Sequence, residues 1–276
     1  GMEEHIGSAR LLARGRTAEV YAWGKDSVLK LFVPGYPASF MDQEEAGTRA
    51  AQAAGLPSPE LRDAVTVDGR RGLVLERVRG TGMLRLVERE PGHTTRYARL
   101  LAELQARIHE VRAPELTSRR EDLARRIARA GVVAVIKGDA LATLERLPED
   151  NHLCHCDFHP ANVLMTAAGP RVIDWSLAAS GAPASDAACT ALLLRIADAS
   201  HGNLRVTWVE RETRERFYRS WLARYRDVQP DAAQQMWSWM LPVAVARVAD
   251  DIPGERERLM PLIDELRAAR GARTRT

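Results

Sequence analysis

Apolar positions come in short runs near the N-terminus and at helical spacing further on. Leu11-Leu12-Ala13, Glu19-Val20-Tyr21-Ala22-Trp23 and Val28-Leu29-Lys30-Leu31-Phe32 read as three strands. Gly15-Arg16-Thr17-Ala18 and the tight turn Gly24-Lys25-Asp26 separate them. A helix over about residues 40–54 follows, ended by Gly55 with Pro57 beyond. Strands at 60–67 and 72–78 flank the Asp68-Gly69 turn. From Thr81 the period changes: Tyr97, Leu101, Leu104, Ile108 and Val111 recur at helical spacing. Residues 117–147 predict one or two helices with a break at Gly131 or Gly138. Residues 203–271 predict three, split near Pro230 and Pro253-Gly254, with Trp208, Trp221, Trp237 and Trp239 as core. Residues 268–276 read as a frayed basic tail.

The middle of the chain breaks this rhythm. His155-Cys156-Asp157-Phe158-His159-Pro160-Ala161-Asn162 leads into Val163-Leu164-Met165, and Val172-Ile173 then leads into Asp174-Trp175. The two apolar runs predict a hairpin turning at Ala168-Gly169-Pro170, with Asn162 at one end and Asp174 at the other. Phosphoryl transfer from a nucleotide needs Mg²⁺ held by hard oxygen ligands, and a carboxylate that orients a hydroxyl and takes its proton. His-x-Asp-x4-Asn, a strand and a further Asp supply those groups in that order. Each residue also has a plain reading. Asp157 could cap a turn, Asn162 fill one, and Asp174 close a strand end. A metal site from His152, Cys154, His155, Cys156, Asp157 and His159 is the other possibility, but its spacings do not match common zinc motifs and no second ligand cluster follows.

The stretch resembles the aminoglycoside phosphotransferase family more than protein kinases. His159 stands where a protein kinase carries Lys, Ile173-Asp174-Trp175 replaces Asp-Phe-Gly, and Pro183, Ser185 and Asp186 precede an Ala/Leu-rich helix. The resemblance spans nearly the whole chain. It implies an α+β, two-lobed protein-kinase-like fold. Residues 1–78 would form a small lobe of five antiparallel strands and one helix, and residues 79–276 a larger, mainly helical lobe. It implies transfer of the γ-phosphoryl group of ATP or GTP to a hydroxyl of a small molecule, with Mg²⁺ as the metal. Asp157 is then the base, with Asn162 and Asp174 as metal ligands, and His155 holds the loop by hydrogen bonding. Gly15 and Thr17 cover the phosphates. Lys30 binds them and pairs with Glu44, or failing that Glu45. Backbone groups near Glu76 and Val78 meet the adenine edge. Asp186, whose default role is an N-cap, would brace the catalytic loop. His109 reads as structural.

Two alternatives come from other classes. Only Gly15 remains of a glycine-rich phosphate loop, which leaves room for a catalytically silent nucleotide-binding protein. A protein kinase is the other, opposed by Ile-Asp-Trp and by the short loop that follows it. Lys30 alone could equally lie on the solvent side of an edge strand.

Composition changes little. The 276 residues are 45% hydrophobic and 28% charged with a net charge of +3, an ordinary globular balance. Only three of the 40 basic residues are lysines, and Arg alternates with Glu as on solvated helices, so no nucleic-acid surface is expected. No apolar run is long enough to span a membrane. Cys154, Cys156 and Cys189 do not make a disulfide framework, which points to the cytoplasm. Asp250, Asp251 and Glu255 could rim a site for a cationic acceptor or simply be solvated. Oligomeric state is not legible.

Overall fold

The structure, a computed structural model, describes residues 5–196 and 211–273. In chain order the elements begin with β1 (Leu11–Arg14), β2 (Ala18–Trp23), β3 (Ser27–Phe32), α1 (Ala38–Ala53), β4 (Leu61–Val67), β5 (Arg70–Glu76) and β6 (Thr81–Gly82). Next come α2 (Met83–Arg89), α3 (Thr94–His109), α4 (Arg119–Arg129), α5 (Ala134–Arg146), β7 (His152–Cys154), β8 (Val163–Thr166), β9 (Gly169–Val172) and β10 (Ala179–Gly181). The last four are α6 (Pro183–Ile196), α7 (Arg211–Val228), α8 (Pro230–Val248) and α9 (Arg256–Arg273). No helix among the described residues is long and apolar enough to cross a membrane.

The chain sorts into two compact units that are not contiguous in sequence. One holds the chain up to Thr81 together with Asn162–Ala178, and the other holds Gly82–Ala161 and the chain from Ala179 onward. The expected lobe boundary near 78–80 took no account of the return of Asn162–Ala178 to the first unit.

The first unit is built on an antiparallel sheet in the order β1-β2-β3-β5-β4. Alternation along β3 decides where Lys30 goes. Leu29 and Leu31 pack with Val67 and Val74 on one face. Phe32 packs with Ala18, Leu61 and Leu73 on the other, where Met41 of α1 joins them. Lys30 shares that second face. Asp68 (φ 47) and Gly69 (φ 72) are both left-handed, as a tight two-residue hairpin turn between β4 and β5 requires. Helix α1 closes on Gly55 (φ 68), where Leu56 N–H bonds the Ala51 carbonyl and Gly55 N–H that of Gln52, a Schellman ending.

The second unit is helical. Helix α3 buries Tyr97, Leu101, Leu104 and Ile108 and packs on α7. Helix α6 is buried almost throughout and packs on α8. Trp221 and Trp239 are core, Trp237 is half-buried, and Trp208 lies outside the described residues. The break in 117–147 falls at Gly131, and Gly138 sits inside α5.

Three expectations are corrected. The β8–β9 turn is Ala167-Ala168, because the second strand starts at Gly169 and pairs it with Thr166. The Thr166 hydroxyl donates to the Gly169 carbonyl and accepts from Ala168 N–H, which closes the tighter turn. The basic tail is helical through Arg273, where α9 continues. Two of the three acidic-cluster residues, Asp250 and Glu255, are not a free rim, while Asp251 is exposed. Glu255, 6% exposed, takes a bidentate pair from Arg247 at 2.7 and 2.7 Å, and Asp250 pairs with Arg126.

Candidate functional site

In the first unit the Lys30 Nζ donates to Glu44 Oε1 at 2.5 Å and lies 3.7 Å from Asp174 Oδ1. Burial works against the ammonium, but the carboxylates of Asp174 and Glu44 outweigh it and hold its pKa above the usual lysine range. The Glu44 pKa is raised as well, which for a carboxyl favours the neutral form. Burial raises its pKa against the pull of Lys30, and Asp174 adds to the rise. One cation thus serves two carboxylates, and Glu44 Oε2 is buried with no hydrogen-bond partner. Glu45, one residue on, faces elsewhere. It pairs with Arg49 at 2.9 Å and Arg71 at 3.0 Å and is not merely solvated.

Glycine at position 47 lets α1 reach the Asp174 loop. A Cβ there would lie 2.4 Å from Ala178 Cβ and 3.0 Å from the Trp175 carbonyl. Gly47 is one turn from Glu44 and shares its face. Gln43 Nε2 donates to the Ala178 carbonyl at 3.0 Å and fastens the same contact. Asp174 is left-handed (φ 63), a conformation Asp tolerates better than most residues. Its Oδ1 accepts the Ser176 hydroxyl at 2.6 Å. Asn162, 2% exposed, precedes β8, and its carbonyl accepts Ile173 N–H at 2.9 Å, so the hairpin brings Asn162 and Asp174 to one end.

The other first-unit candidates are more scattered. Gly15 and Thr17 form the β1–β2 connection, where Gly15 N–H bonds the Ala18 carbonyl and the Thr17 carbonyl accepts Val33 N–H. Glu76 ends β5. Its backbone N–H is used by the Glu60 carbonyl at 2.8 Å, and Arg77 N–H by Asp26 at 2.9 Å, so neither can donate to a ligand. Val78 lies two residues beyond β5.

The second unit holds His155 and Asp157. Asp186 accepts His155 N–H at 3.0 Å and Cys156 N–H at 2.8 Å, one on each carboxylate oxygen. Cys156 is thereby held left-handed (φ 67), a costly conformation for a residue with a side chain. Asp186 lies in the first turn of α6, but its side chain serves the loop and not an N-cap. His109 Nε2 donates to Asp186 Oδ2 at 2.8 Å, and the Tyr225 hydroxyl bonds its Nδ1 at 2.8 Å. The 116-residue separation hides Tyr225 from any reading of the chain.

His155 is fully buried, packs edge-on against Phe158, and its Nδ1 accepts Asp157 N–H at 3.3 Å. Both contacts tie its ring to the loop. His159 Nδ1 accepts Ala161 N–H at 3.2 Å, which turns Nε2 toward Asp157 Oδ1, 3.4 Å away. The Cys189 thiol donates to the Cys156 carbonyl at 3.2 Å and the Thr190 hydroxyl to the Phe158 carbonyl at 2.8 Å, so α6 braces both sides of Asp157.

Among the described residues no group of three or more His, Cys, Asp or Glu side chains could hold a metal. Asn162 and Asp174 carry amide and carboxylate oxygens, hard donors of the kind Mg²⁺ takes beside phosphates and water.

The sequence matches the phosphotransferase enzyme family over residues 8–229. No curated protein matches it significantly. Solved structures with a similar fold include an aminoglycoside-3'-phosphotransferase of type VIII, 21% identical, covering 88% of this chain and 93% of that one with a TM-score of 0.59. An amicoumacin kinase solved in complex with AMP-PNP, Ca²⁺ and Ami is 14% identical, covering 96% and 89% with a TM-score of 0.63. A choline/ethanolamine kinase family protein from Mesorhizobium loti is 17% identical, covering 96% and 88% with a TM-score of 0.55.

Proposed function

The chain belongs to the phosphotransferase enzyme family, and on that premise we propose that it moves the γ-phosphoryl group of ATP or GTP to a hydroxyl of a small molecule. The observation that carries this reading is the Lys30 ammonium, held between Glu44 and Asp174 on the face of the sheet that α1 covers. A mostly buried lysine held between two carboxylates offers a compact cation to phosphate oxygens. Asn162 and Asp174 hold Mg²⁺, which when bound neutralises charge on the phosphates. Lys30 binds phosphate oxygens, and the Gly15–Thr17 connection covers them. Asp157 orients the acceptor hydroxyl and takes its proton. Backbone groups near Val78 meet the base. Three buried free thiols suit a reducing compartment, so the cytoplasm is the proposed location.

The acceptor is an aminoglycoside, an amino alcohol, a sugar or a related alcohol. A polycation would want unpaired carboxylates, and Asp250 and Glu255 are already held by arginines. The test is a nucleotide-consumption screen across these classes and peptides, run with the native protein and Asp157→Ala. Acceptor-dependent consumption in the native protein alone is expected, with nucleotide binding kept in both. Equal turnover by Asp157→Ala on a verified acceptor would refute the role of Asp157. Absence of Mg²⁺-nucleotide binding in the native protein would refute the kinase reading. Phosphorylation of peptides alone would reassign the acceptor.

A further inference from the structure

Within the first unit, an arginine is one of the contacts that tie the hairpin carrying Asn162 and Asp174 to the opening sheet. Arg171 lies on β9, opposite Leu164 and three residues before Asp174. Its guanidinium grips the Glu76 carboxylate with two bonds, Nη1 to Oε1 at 3.2 Å and Nη2 to Oε2 at 2.6 Å. Nη2 also donates to the Ser58 carbonyl at 2.7 Å. Glu76 Oε2 further accepts Glu60 N–H at 3.1 Å. One carboxylate therefore joins the end of β5, the segment ahead of β4 and the hairpin. Neighbouring contacts hold the same seam. Val172 N–H bonds the Pro57 carbonyl at 2.6 Å, and a Cβ on Gly80 would lie 2.6 Å from the Met165 carbonyl.

A bidentate guanidinium–carboxylate pair fixes orientation as well as distance. Lysine, a point charge on a flexible stem, cannot reproduce that fork. Both side chains are three-quarters buried, so the pair is sheltered from the screening that empties surface ion pairs of value.

We propose that Arg171 is a positioning residue that acts through Glu76 to hold Asn162 and Asp174 in register for the metal ion. The proposal rests on the nucleotide-binding reading above. Removing partners that orient metal ligands costs roughly 10- to 100-fold in metal affinity. Loosening the hairpin should weaken coupling between Mg²⁺ and the nucleotide while leaving metal-free nucleotide binding intact.

The experiment measures equilibrium binding of a fluorescent ADP analogue against Mg²⁺ concentration, for the native protein, Arg171→Lys, Arg171→Met, Glu76→Gln and the Glu76→Gln/Arg171→Met pair. Each single variant should need about tenfold more Mg²⁺ for half-maximal effect, and the pair should be no worse than Arg171→Met alone. Amide exchange over residues 163–173, measured without metal or nucleotide, should speed up in all of them. If Arg171→Met does not fold, Glu76→Gln and Arg171→Lys carry the test. Lower melting temperatures with unchanged Mg²⁺ dependence would reduce the pair to a stabilising contact and overturn the proposal. Failure of the native protein itself to bind Mg²⁺-nucleotide would instead strike the functional reading on which the proposal stands.

Discussion

Replacing Asp186 by Ala removes one carboxylate and strands three donors at once. Asp186 is fully buried and accepts the backbone N–H groups of His155 and Cys156 and the Nε2–H of His109. A buried donor left unpaired costs about 1–3 kcal/mol, so three of them cost about 3–9 kcal/mol. Release of Cys156 from its left-handed conformation returns about 1–3 kcal/mol of strain. Set against the stranded donors, the expected net loss is about 2–6 kcal/mol, a large part of the roughly 5–15 kcal/mol that holds a domain folded. Urea unfolding followed by tryptophan fluorescence should show a lower midpoint at unchanged slope. Asp186→Asn keeps one acceptor oxygen and should lose less, about 1–3 kcal/mol. pH gives an independent check. Burial alone would raise the Asp186 pKa, but the His109 hydrogen bond, the favourable electrostatics of the His109 and His155 rings and the Cys156 N–H outweigh it and hold the group below its ordinary value. Its stabilisation is therefore present above the unfolded carboxylate pKa of about 3.9 and is lost as pH falls through the folded value. Asp186→Ala should flatten the acid limb of the stability profile. A midpoint within about 1 kcal/mol of the native protein would show that water or rearrangement satisfies these donors and that the brace is dispensable.

Gly47→Ala should destabilise by about 1–3 kcal/mol through overpacking against Ala178 and Trp175, despite the better helix propensity of alanine. It should also weaken nucleotide binding, and a raised melting temperature would contradict the reading. Glu44→Gln relieves a buried carboxylate with an unpartnered oxygen, so it should leave stability unchanged or higher while lowering turnover. Reduced stability with full turnover would reverse both halves of that expectation. Asp174→Ala should abolish acceptor phosphorylation with the circular dichroism spectrum intact. Burial pushes the Cys189 thiol up to about 11 and the Cys154 and Cys156 thiols higher, so iodoacetamide at neutral pH should label none of the three until the protein unfolds.

Periodicity made much of this fold legible. The Gly55 ending fixes where α1 stops, while alternation along β3 sets Lys30 apart from Leu29 and Leu31 and only the fold shows that α1 covers its face. The spacing from His155 to Asp174 carried the family resemblance, which the match over residues 8–229 bears out. Choosing Glu44 over Glu45 needed the family resemblance, because one residue turns a helix face by about 100°. Long-range partners stayed hidden. Asp186 reads locally as a cap, and only the fold brings His109 and Tyr225 to it. Arg171 on a short strand looks like surface charge until Glu76 arrives from β5. Asp250 and Glu255 look like a solvated acidic rim because their arginines stand on α4 and α8. Turn chemistry misled at residues 168–170, where Gly169 opens a strand.

The return of Asn162–Ala178 to the first unit bears on how such a protein can be divided. A fragment cut after Thr81 would keep Gly47, Pro57, Ser58, Glu76 and Gly80 but lose every group they were shaped to receive. Splicing that fragment from one homologue onto the remainder of another would pair a strand seam and a glycine contact with sequences never selected together. Gene shuffling in this fold should succeed only when the far hairpin travels with the opening sheet.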